Sequence, residues 1–104
     1  MAKLVRNSVP NTQNKDWYKV VVATRKEFMA AFDDICDCHL CGDDVNLDGI
    51  MYYIPVLDVV YCPRCYELWC VSAQYFKVDK PIEDKNLKKV VEKFEELGCW
   101  DEDA

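Results

Sequence analysis

Two periodicities divide this chain into segments. Residues 17–23, Trp-Tyr-Lys-Val-Val-Val-Ala, are aromatic and β-branched and predict a buried strand. Thr24 and Glu27 follow with the spacing of a capping box, in which each side chain bonds the other's backbone N–H. Phe28, Ala31, Phe32 and Ile35 then fall at i, i+3, i+4 and i+7, which predicts a helix over 25–35 with one apolar stripe. Residues 50–54 and 56–61 are rich in β-branched and aromatic side chains, are interrupted by Pro55, and predict a meander or bent hairpin. Before them, Asn46-Leu47-Asp48-Gly49 has turn chemistry, with Gly49 able to take a positive φ.

A second helix is expected over 66–76, directly after a pair of cysteines, and a third over 83–97. In the third, Leu87, Val90, Val91, Phe94 and Leu97 keep a helical stripe while Lys and Glu fill the other face. Pro81 sits near its start, and Gly98 stands where a left-handed cap is expected. Residues 1–14 are polar and read as a flexible arm, leaving residues 15–104 as one domain. The expected class is α+β.

Composition adds cysteine chemistry to this outline. The 104 residues are 51% apolar, enough for a core, yet a domain of this size folds with a thin margin. There are seven cysteines, an odd number that suits a disulfide framework poorly. Near the start there is no apolar run of the roughly 7–15 residues that a secretory signal uses, and no stretch approaches the length of a membrane span. A cytoplasmic, reducing location is therefore expected, where paired cysteines serve as ligands or redox centres.

The chemistry centres on Cys38-His39-Leu40-Cys41-Gly42 and, after twenty residues, Cys62-Pro63-Arg64-Cys65. Two residues between cysteines let both sulfurs turn toward one ion, and Gly42 can take the unusual φ that such a knuckle needs. Two pairs supply four soft ligands, the set that suits tetrahedral zinc. The expected site is therefore one zinc ion held by Cys38, Cys41, Cys62 and Cys65, residues whose competing role would be simple burial. Cys36 and His39 share the same spacing and form an alternative first pair, though without a following glycine. Cys70 reads as a small core residue and Cys99 as a free thiol.

Over residues 38–76 the order knuckle, hairpin, second pair at a helix start resembles a treble-clef zinc finger, the fold of LIM and GATA-type fingers. A zinc ribbon, with both pairs on hairpin knuckles, is the close alternative. Tyr66-Glu67-Leu68-Trp69 after Cys65 favours the treble clef, because a second knuckle often carries glycine there. The two loops also resemble the iron-binding loops of rubredoxins, which makes iron electron transfer a further alternative. Rubredoxins have glycine after the second pair as well, and here that position is Tyr66.

Charge narrows the partners. Residues 1–35 carry a net +2, residues 36–76 a net −5 and residues 77–104 a net −3. Four thiolates around a divalent ion would make the middle segment more negative still. Such a field opposes a phosphate backbone, so a nucleic-acid-binding finger would need Lys3, Arg6, Lys15, Lys19, Arg25 and Lys26 gathered on one face. Catalysis has little support, with a single histidine and three glycines, and four cysteines leave zinc no open position for water. What remains is a protein-interaction module for a partner with a basic surface. Its sharper form is an acidic inhibitor or regulator of a nucleic-acid-handling enzyme, of the kind a phage would encode. Tyr52, Tyr53, Tyr66, Trp69 and Trp100 are the candidate anchors, each with the core as its competing place. The tail after Gly98 is Cys99 and Trp100 followed by three acids among its last four residues. It either docks into a basic-rimmed groove or returns Trp100 onto the last helical turn.

Overall fold

The computed structural model describes residues 2–5, 18–32, 37–39, 41–42, 46–73 and 76–100. Four strands form one antiparallel sheet in the order β1 (Lys3–Val5), β2 (Val20–Thr24), β3 (Ile50–Ile54), β4 (Val59–Tyr61). Among the described residues three helices accompany it: α1 (Arg25–Phe32), α2 (Pro63–Ser72) and α3 (Lys80–Glu96), the last preceded by a 3-10 turn at Lys77–Asp79. The chain is thus an α+β protein with a four-cysteine cluster.

Strand alternation assigns the helices to two faces. Tyr53 pairs with Val21 on one side and Val60 on the other, and its ring packs against Phe32 of α1 at 5.5 Å. Phe28 then meets Phe94 of α3 edge-on at 5.6 Å, so α1 and α3 share that face. On the opposite face Tyr52 pairs with Val22 and Tyr61, and stacks on Tyr66 of α2 with centroids 4.0 Å apart. Helices on both faces explain why Val20, Val21, Val22 and Ala23 are all buried.

The capping box forms as its spacing predicts. The Thr24 N–H donates to Glu27 Oε1 at 3.0 Å and the Glu27 N–H to Thr24 Oγ1 at 3.2 Å. The next two N–H groups, of Arg25 and Lys26, donate to Gly49 O and Leu47 O, so the Asn46–Gly49 turn seats the helix start. Gly49 itself does not take a positive φ. Among the described residues the left-handed positions are Gly42, Gly98 and Asp58. Ile35, expected at the end of α1, lies outside the described residues, as does Trp17 of the expected first strand.

Several boundaries differ from expectation. Residues 3–5 are not part of a flexible arm: they pair with β2, and the Ala2 N–H donates to Cys99 O at 2.8 Å. The pairing covers what would otherwise be an open edge of β2. The hairpin's second strand starts only at Val59, because the chain turns through 55–58 with Asp58 at φ 55°. The helix expected over 66–76 runs over Pro63–Ser72, with Pro63 at the position where its missing N–H costs nothing. The last helix begins at Lys80 and ends at Glu96. Its end is closed by Gly98 at φ 70°, with the Gly98 N–H on Glu95 O and the Cys99 N–H on Phe94 O.

One charged side chain sits where the amphipathic pattern does not expect it. Glu83 is 2% exposed and accepts the Lys19 N–H, which joins α3 to the start of β2. Burial raises its carboxyl above the usual value of 4.5, against the lowering pull of that hydrogen bond and of Lys19 and Lys80. Its favourable contribution is thus complete below about pH 4.5 and is lost as pH rises through the raised value.

Two outcomes follow for stability. Glu83→Gln keeps an acceptor for the Lys19 N–H and removes the buried charge. Its melting temperature relative to the parent should be higher at pH 7 than at pH 4, and an equal difference at both would contradict the burial argument. At Gly98 an added Cβ meets nothing within 4 Å, so Gly98→Ala tests backbone conformation alone. A loss of about 1 kcal/mol in chemical denaturation is expected.

Candidate metal centre

Each cysteine pair is aimed by its own local structure. The first follows α1: the Gly42 N–H donates to Cys38 O at 2.8 Å, closing a knuckle that Gly42 permits by its φ of 73°. The His39 N–H donates to Val60 O at 2.9 Å and fastens this knuckle to β4. The second pair lies where β4 runs into α2. Cys62 is the N-cap, extended at φ −70° and ψ 164°, and its carbonyl accepts the Tyr66 N–H at 2.9 Å. Cys65 is in the first helical turn, so the α2 N-terminus supplies a partial positive charge beside both sulfurs.

These two devices bring Cys38, Cys41, Cys62 and Cys65 together, with all four Sγ atoms within 4.8 Å of one another. Cys38, Cys62 and Cys65 are buried and Cys41 is exposed. Cys41 and Cys62 Sγ stand 3.8 Å apart, far beyond a disulfide bond. It is also the edge of a tetrahedron whose centre lies about 2.3 Å from each sulfur, as in zinc–thiolate sites. Four thiols in one small volume fit a single soft cation, and a four-cysteine metal site is the chemistry this cluster supports.

Burial first, and then the neighbouring thiols of Cys38, Cys41 and Cys62, push the Cys65 thiol upward from its ordinary value. A bound divalent cation would invert that preference and take up the Cys65 thiolate. Tyr61, whose side chain ends β4, is raised by burial and then by Cys38 and Cys65, so it remains a neutral phenol beside the sulfurs. The sequence pattern marked Tyr61 only as a strand residue, and only the fold places it at the site.

The other candidates are distributed differently. His39 is exposed, and among the described residues the cluster contains cysteines alone. Cys36, its partner in the alternative pair, lies outside the described residues. Of the five proposed anchors, Tyr53 and Tyr66 are 2% and 7% exposed and belong to the core, because each faces a helix or strand across the sheet. Tyr52 is half-buried in its stack on Tyr66, and Trp69 is half-buried with Tyr18 at 6.0 Å and Tyr66 at 6.2 Å. Trp100 returns onto Phe94 at 6.5 Å and bridges Ala2, while residues 101–104 lie outside the described residues. Among the described residues the exposed large apolar side chains include Leu68 and Val71 on α2, then Phe76, Val78 and Ile82, with Leu47, Ile50, Leu57 and Leu97 exposed elsewhere. Leu68 and Val71 stand three apart on the outer face of α2, a spacing visible in the sequence once the helix start is known.

Among the described residues no helix is long and apolar enough to cross a membrane. No protein-family model, curated protein or solved structure matches this chain. Two substitutions separate the cluster from the remaining cysteines. Cys62→Ser should abolish stoichiometric metal binding and lower stability by an amount on the order of several kcal/mol, since binding and folding are linked. Cys99→Ser, outside the cluster, should leave metal content unchanged and shift stability by about 1 kcal/mol or less. Equal effects of the two would contradict the ligand assignment.

Proposed function

We propose that this chain is a protein-interaction module whose fold is fixed by one structural zinc ion in a treble-clef-type site. The observation that carries the reading is the closure of four sulfurs around one point, with the second pair at the start of α2. Four thiolates fill a tetrahedral shell and leave no position for a reacting water, so the metal is read as structural and the chain as non-enzymatic. Helical placement of Cys65 favours a treble clef over a ribbon, and equally over the paired knuckles of a rubredoxin.

With the metal as scaffold, binding falls to the surface around it. Leu68 is 57% exposed and Val71 is 87% exposed on α2, followed by Val78 at 79% before α3. An apolar stretch of this kind in a chain of net charge −6 suits a partner whose own surface is apolar and rimmed by Lys and Arg. The nucleic-acid groove of an enzyme offers such a rim, and an acidic inhibitor or regulator of that enzyme, phage-encoded or cellular, is the form we favour. Arg25, one of the basic residues a nucleic-acid face would need, is already paired with Asp37 at 2.8 Å.

The test is affinity capture with the zinc-loaded chain, beside a Leu68→Ser/Val71→Ser variant at matched stability. A partner of basic surface should be retained by the parent, weaken with rising salt, and bind the variant about tenfold or more weakly. Retention that ignores both salt and the substitutions would overturn the docking face.

A further inference from the structure

On the sheet face away from α2, a recess of about 300 Å³ opens between α1, α3 and the turn joining β3 to β4. It lies outside the metal cluster and outside the apolar stretch of α2. Its inner wall is apolar and largely aromatic. Phe32, half-buried, stacks in parallel on Phe28 at 5.8 Å and tilts against Tyr53 at 5.5 Å, and Val90 continues the wall from α3.

The rim is polar and asymmetric. On the α3 side stand Lys89 and Lys93, both exposed. They are four residues apart, so two like charges share one helical row, a placement that costs stability when no anion is between them. Among the described residues, no carboxylate forms an ion pair with either ammonium. On the opposite side stands Asp58, held in the left-handed region at φ 55°. Its Oδ1 accepts the Tyr53 hydroxyl at 2.6 Å, and its Oδ2 accepts no hydrogen bond among the described residues. Asn86 donates through Nδ2 to Pro55 O at 2.8 Å and thereby ties α3 to the turn that carries Asp58. The rim is thus fixed from both sides, positive on α3 and negative on the turn.

We propose that this recess is a binding site for a small aromatic acid, its ring against Phe32, Tyr53 and Val90 and its carboxylate or phosphate at Lys89 and Lys93. The two lysines neutralise the acid group, and the anion in turn relieves their mutual repulsion. Asp58 repels an anion, which fixes the ligand's direction, and it accepts a bond from a donor on the ring's far side. Few convergent polar groups around an apolar wall are the usual composition of a small-molecule site, and this volume lies at the small end of such sites.

The experiment is a titration of the full, metal-loaded, isotope-labelled chain, followed by backbone amide shifts. The probes are 4-hydroxyphenylacetate, phenyl phosphate and neutral benzyl alcohol. Both acids should give saturable shifts at Ala31, Asp58, Asn86 and Val90, and the alcohol should bind about tenfold or more weakly. Whichever acid binds more tightly identifies the acid group as carboxylate or phosphate. A Lys89→Glu/Lys93→Glu variant, altered only at exposed positions, should keep its remaining spectrum and lose both acids by about tenfold or more. Equal binding of the alcohol, shifts confined to residues 68–82, unchanged binding by the variant, or no saturation at millimolar acid would each overturn the site.

Discussion

Four sulfur atoms meeting at one point join the two halves of this chain. The Cys38–Cys41 knuckle follows α1, and the Cys62–Cys65 pair ends β4 and opens α2, so a single ion would tie the helices on both faces of the sheet to each other. A chain of 104 residues has a limited core, and a cross-link between segments twenty residues apart would supply what further burial supplies in a larger one. The local devices around the cluster serve this geometry. Gly42 permits the first knuckle, His39 fastens it to β4, and Pro63 starts the helix that carries Cys65.

The rest of the molecule divides the labour between two faces. Tyr53 and its row bind the sheet to α1 and α3, whereas Tyr52 and its row bind it to α2 and hence to the metal side. A shift of register by one residue would exchange these rows and move both aromatic contacts to the wrong helix. Function is separable in the same way. The outer face of α2 is the surface we assign to a protein partner, and the lysine-rimmed recess on the other face is the one we assign to a small acid. Neither requires chemistry at the metal.

Local signals were legible in the amino-acid sequence. The Cys-x-x-Cys spacings, the Thr24–Glu27 box and the glycine after α3 each act within a few residues, so their structural meaning does not depend on distant partners. Long-range placement was not legible in the same way. Residues 3–5 look like the polar residues beside them until β2 is present to pair with. Which of the five aromatic candidates lie in the core, as Tyr53 and Tyr66 do, is decided only once the sheet is covered on both sides. Glu83 resembles its charged neighbours on α3, and only the approach of the Lys19 backbone shows why it is inside. Pro63 is a helix-start signal that the cysteine knuckle pattern concealed, which displaced the expected start of α2 by three residues.

The central claim is that one metal ion organises this fold through four named sulfurs. Elemental mass spectrometry of the chain, purified without added metal, tests it most directly. The account predicts about one zinc per chain, lost together with the cooperative fold when a chelator removes it. A folded, fully reduced chain that carries no metal would contradict it.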